Sequence, residues 1–145
     1  MGMRDVFYAI GRENALLLRE NAAAMSGTEI IDREMDVPLF DAKKDYSGYP
    51  AGSPVKDDGQ VWLLIQPHNA VHYSGRPATL RALWGLAHTT NPKKAKAWVD
   101  PYGTSGMYMA GECYRDENGT VFRCLQDNTV YPADAYAEGW EKTEG

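Results

Sequence analysis

The chain has 145 residues, the size of one ordinary domain or of two small modules behind a helix. Asp and Glu number 20 against 15 Lys and Arg, for a formal net charge of −5, which argues against a protein that holds nucleic acid or an anionic membrane by neutralising phosphates. No apolar stretch approaches the ~20 residues of a spanning helix. The opening MGMRDVFYAI has no continuous apolar run or small-residue cleavage site, so the expectation is a chain made in the cytoplasm without a signal peptide.

Residues 4–25 read as one helix, free of Pro and dominated by Ala, Leu, Arg and Glu. A heptad frame puts Phe7, Ile10, Asn14, Leu17, Asn21 and Ala24 on one seam. Asn at such positions fixes register and oligomer state in coiled coils, so the helix either assembles copies, with a trimer expected, or packs on its own domain. Ser26 and Glu29 have capping-box spacing, with Thr28 as an alternative cap, and predict a short second helix over residues 29–35 that Pro38 ends. The stretch DAKKDYSGYPAGSP is loop chemistry.

After Tyr49 the chain changes to short alternating runs separated by turns, which predicts β-strands. Asp58-Gly59 and Asn118-Gly119 each lie between two such runs and predict type I′ hairpin turns, whose central residues need positive φ. The two hairpins repeat each other. Tyr49, Ala51, Gly52, Gly59, Val61, Trp62 and Gln66 match Tyr108, Ala110, Gly111, Gly119, Val121, Phe122 and Gln126, with one residue added before the second turn. The units close at Trp84 and Trp140, giving about 35 residues present twice. A lone hairpin is marginal in water, so each module needs a core. Tyr49, Trp62, Trp84, Trp98, Tyr108, Phe122 and Trp140 are assigned to it. The fold class is therefore α+β: an N-terminal helical segment (1–36), a first small antiparallel β module (37–87), a linker (88–97) and a second module (98–145).

Catalytic signatures are missing: the chain has no nucleophile elbow, phosphate loop or dinucleotide fingerprint. Asp57-Asp58 and Asp116-Glu117 sit in turns, where acids serve turn geometry. His68, His72 and His88 lack zinc-ligand spacing. The expectation is a non-enzymatic protein with no metal and no cofactor. With Asn118-Gly119 as a two-residue turn, Cys113 faces Cys124, either as a disulfide or as two small packed thiols.

The pattern Trp98, Pro101, Gly103, Tyr108, Gly111, a turn glycine, Phe122-x-Cys124 and Trp140 resembles the small β module of carbohydrate-binding module families five and twelve, chitin-binding-type domains appended to chitinases and cellulases. The tandem order behind a helix is similar to short tail-associated proteins of tailed phages and prophages of Gram-positive gut bacteria. QPHNAVHYSGRPATLRALW, WVDPYGTSGMYMAGECYRD and CLQDNTVYPADAYAEGWE carry most of the likeness. The resemblance implies a virion tail or tail-fibre accessory protein, with other tail proteins and host-surface glycan as partners and neither nucleic acid nor membrane. Where those modules carry adjacent exposed aromatics after the second hairpin strand, this chain reads Ile65-Gln66-Pro67 and Leu125-Gln126-Asp127. Ligand contacts then fall to His68, Asn69, His72 and Tyr73 in the first module and Asp127, Asn128, Tyr131 and Tyr136 in the second. Those groups suit either a glycan or a neighbouring protein.

Overall fold

The structure, a computed structural model, describes residues 25–145. The candidate seam of Phe7, Ile10, Asn14, Leu17, Asn21 and Ala24, and the long helix that carries it, lie outside the described residues. The rest of the chain combines short helices with two sheets, of three and four strands.

Ser26 starts the first helix. Its hydroxyl accepts from Glu29 N at 3.2 Å while Glu29 Oε1 accepts from Ser26 N at 3.3 Å, a reciprocal pairing that satisfies two otherwise orphaned amides. Helix α1 (Gly27–Asp32) follows, and a separate 3-10 turn takes Glu34–Asp36. Thr28 is not the cap; its hydroxyl accepts from Thr90 N at 2.8 Å. Ile30 and Ile31 of α1 bury themselves against Val37, Val61 and Ala87.

Strands β1 (Pro54–Asp57), β2 (Gln60–Leu64) and β3 (Trp84–Leu86) form the first sheet, antiparallel throughout. Strands β4 (Lys96–Ala97), β5 (Cys113–Arg115), β6 (Val121–Cys124) and β7 (Trp140–Thr143) form the second. β4 runs parallel to β5, so this sheet is mixed rather than purely antiparallel. Residues 88–97, expected as a linker, are built into the structure. They supply β4, the 3-10 turn Pro92–Lys94 and a bridge from Thr89 to Cys113.

The hairpins differ at their tips. Asp57 pairs with Gln60, and both Asp58 (φ 52°) and Gly59 (φ 76°) are left-handed, the geometry of a type I′ turn. In the second hairpin Arg115 pairs with Val121, and only Gly119 (φ 83°) has positive φ. The added residue lengthens the loop, and Asp116 organises it: its Oδ1 accepts from Asn118 N at 3.0 Å and Thr120 N at 2.8 Å. Register shifts by one, which corrects the expected cysteine pairing. Cys113 faces Arg123, not Cys124, and both cysteines are free and buried.

The two sheets share one hydrogen-bond skeleton. Gly52 N donates to Leu64 O at 2.7 Å, and Gly111 N to Cys124 O at 2.8 Å. Ile65 N donates to Leu83 O and Leu125 N to Gly139 O, both at 2.8 Å. Trp84 pairs with Leu64 as Trp140 pairs with Cys124. The likeness begins earlier than Tyr49. Leu39 bridges Lys56 in parallel, as β4 does with β5, and each of these arms follows a 3-10 turn.

The rings repeat too. Phe40 stacks with Tyr46 (6.1 Å, 8°) and meets Trp84 edge-on (5.8 Å); Trp98 stacks with Tyr108 (4.9 Å, 11°) and meets Trp140 edge-on (6.0 Å). The counterpart of Tyr108 is therefore Tyr46, which is buried, and not Tyr49, which packs half-buried at the side of that core. Alternation along β2 sends Trp62 and Leu64 into this aromatic core and Val61 and Leu63 towards α1.

Candidate functional site

A groove of about 570 Å³ lies on the second module, within the size range of small-ligand sites. β4 delivers Trp98 to its wall, β5 delivers Tyr114 and β6 delivers Phe122, while the hairpin loop and the segment before β7 supply Asp116, Glu117 and Asp134. Tyr114 and Phe122 are cross-strand partners whose rings stack at 5.4 Å. Trp98 and Phe122 belong to the core only in part: both are half-buried and turn ring surface to the groove. Phe122 takes the place that the fully buried Trp62 holds in the first module.

Polar contacts fix the groove's frame. Trp98 Nε1 donates to Asp100 Oδ1 at 2.7 Å, and Tyr114 Oη accepts from Ala133 N at 2.9 Å. Burial pushes the Tyr114 phenol above its ordinary value, and the charges of Asp134 and Asp116 push the same way, against the Ala133 amide. The groove therefore carries a negative field. Its one guanidinium, Arg115, is tied to backbone, donating to Gly119 O and Pro92 O.

The eight residues expected to touch ligand lie elsewhere. His68 is only 7% exposed, donates from Nδ1 to Gln66 O at 2.8 Å and meets Trp84 edge-on; it is a core histidine. Asn69 caps the 3-10 turn Ala70–His72 by accepting from Val71 N. His72 is exposed, and Tyr73 is 44% exposed with its ring against His68. In the second module Asp127 accepts from Ala110 N, Asn128 holds a left-handed turn (φ 60°), and Tyr136 donates to Gln126 Oε1. Tyr131 is 60% exposed, and its carbonyl accepts from Trp140 Nε1 at 2.8 Å. None of the eight lines the groove.

Of the residues that do line it, Trp98 and Phe122 were legible as core aromatics and Asp116 and Glu117 as turn acids, while Tyr114 and Asp134 were missed. The signal lay in the repeat: RPATLRAL before Trp84 carries two arginines that PADAYAEG before Trp140 lacks.

A second, shallower concavity of about 400 Å³ lies between α1 and the turn at Pro92–Lys94. Two of its lysines are engaged: Lys94 donates to Asp32 O and Lys96 pairs with Glu34. Among the described residues no three of His, Cys, Asp and Glu gather as a metal set, and no helix is long and apolar enough to cross a membrane. A scan of protein-family models matches none of them, and a search of curated proteins finds no relative.

Proposed function

We propose that this chain is a non-enzymatic accessory protein of a tailed-phage or prophage virion that binds host-surface glycan through the groove of its second module. The observation that carries the reading is the groove's lining, with three aromatic rings beside carboxylates and an amide. Sugar rings present apolar C–H faces that stack on aromatic rings, and their hydroxyls donate to groups such as Asp116, Asn118 and Asp134. The N-terminal segment supplies oligomerisation, and several copies on one particle turn a weak site into firm attachment. Full-length protein is retained on purified Gram-positive cell wall, and retention falls in Phe122→Ala and in Asp134→Ala, which spares the core. No retention, even of the multimer, counts against the reading.

A second reading, an assembly protein making protein–protein contacts in the tail, draws on Met35 and Leu39. They are 90% and 72% exposed, and Met35 lines the shallow concavity. A monomer in light scattering at high concentration, with no affinity for tail proteins, removes it.

A further inference from the structure

The groove has a twin in the first module, and the twin is occupied by the protein itself. Backbone hydrogen bonds set the correspondence. Gly52 N to Leu64 O matches Gly111 N to Cys124 O, and Leu80 N to Arg76 O matches Tyr136 N to Pro132 O. By that skeleton Asp57 corresponds to Asp116, Trp62 to Phe122, Arg76 to Pro132 and Arg81 to Ala137.

In the first module both acceptor groups hold a cation. Arg76 clasps the buried Asp57 carboxylate through Nε (2.9 Å) and Nη2. The Arg81 guanidinium sits 5.3 Å from the Trp62 ring centroid and donates from Nη1 to Asp100 O. Val99 packs against the same core, and Gly106 lies so close that a Cβ there would be 2.7 Å from Arg81 Nη2. The second module keeps the carboxylate and the ring but has neither arginine. It adds Glu117 and Asp134, so three carboxylates stand against the backbone-tied Arg115.

We infer that the groove selects a positively charged sugar, a glycan bearing free protonated amines, with the ammonium taking the position that Arg76 and Arg81 fill in the first module. This deepens the glycan reading and rests on it. An ammonium over Phe122 or Tyr114 gains from the ring quadrupole, and the carboxylates at the rim add a charge-assisted hydrogen bond. An N-acetylated sugar offers the same apolar face without the charge.

The test titrates full-length protein with a glucosamine oligosaccharide, its N-acetylated counterpart, a neutral gluco-oligosaccharide and an arginine-rich peptide. The glucosamine oligosaccharide binds at least about tenfold tighter than the N-acetylated one at low ionic strength. The preference shrinks in high salt and as pH rises through the sugar amine's own pKa. Glu117→Gln combined with Asp134→Asn removes most of the preference. Pro132→Arg restores the counterpart of Arg76 at a residue that lines the groove and abolishes binding, with circular dichroism and melting reporting that it is folded. Equal or tighter binding of the N-acetylated or neutral sugar overturns the inference and leaves the glycan reading standing. No binding of any sugar overturns the glycan reading beneath it. Binding of the peptide without the amino sugar overturns the assignment to a glycan. A folded Pro132→Arg that binds as the parent does counts against the groove as the site.

Discussion

Trp84 and Trp140 occupy equivalent places with unequal partners. Trp140 Nε1 donates to Tyr131 O, whereas Trp84 Nε1 is buried with no partner among the described residues. Replacement by Phe removes similar volume at both sites, but only Trp140→Phe breaks a hydrogen bond. Trp140→Phe therefore costs about 1 kcal/mol more than Trp84→Phe in denaturant unfolding; an equal cost contradicts the assignment.

The phenols behave alike across the two cores. Burial holds Tyr46, Tyr108 and Tyr114 above the ordinary value of 10.0. A raised folded-state pKa contributes stability that is complete below the unfolded pKa and is lost as pH rises beyond it. The protein thus loses stability above about pH 10, and phenolate absorbance shows at least one tyrosine, Tyr108, ionising only as the fold is lost. Nine tyrosines titrating with the fold intact is the opposing result.

Which residues carry the groove was only partly readable. Aromatic richness was plain, but spacing from the glycine matches Tyr49 to Tyr108, whereas Tyr46 holds that place in the core. The burial of His68 depends on Tyr46, Tyr73 and Trp84 closing round it from three segments.

At the scale of elements, the hairpins show how one residue changes a ladder. Asp58-Gly59 gives the turn its composition predicts. Asn118-Gly119 does not, because Glu117 lengthens the loop and the Asp116 carboxylate then takes two backbone amides. The inserted residue was visible in the repeat, but its effect on register depends on that side-chain capture. Cys113 consequently stands opposite Arg123, and burial pushes its thiol up. After exposure to mild oxidant, thiol counting in denaturant finds both cysteines free in the monomer, and an intramolecular disulfide contradicts the register. Gly119→Ala forces a side chain into positive φ and costs about 1 kcal/mol by denaturant titration. An unchanged midpoint shows the loop in another conformation. The arms before each sheet were hidden for a different reason: Val37-Pro-Leu-Phe40 and Ala95-Lys-Ala-Trp98 share only an apolar start and a closing ring.

Across the whole molecule, contacts between the halves are specific. Gln60 Nε2 donates to Ala97 O at 3.0 Å, Arg81 reaches Asp100 O, and Thr28 meets Thr90. Gly27 lies so near the connecting backbone that a Cβ there would be 2.4 Å from His88 O. Gly27→Ala gains helix propensity of about 1 kcal/mol yet lowers the melting temperature, because backbone must move. Parent protein melts in one calorimetric transition over residues 25–145; two resolved transitions show the halves to be independent.

One repeated architecture leaves its aromatic–acidic groove open in the second module and fills it with its own arginines in the first. The most direct measurement follows backbone amide resonances while cell-wall glycan is added. Shifts concentrated at residues 97–98, 114–118, 122 and 132–134, with residues 55–57, 62 and 76–81 unmoved, are the predicted result. Shifts centred on 68–73 and 127–131, or spread equally over both modules, contradict it.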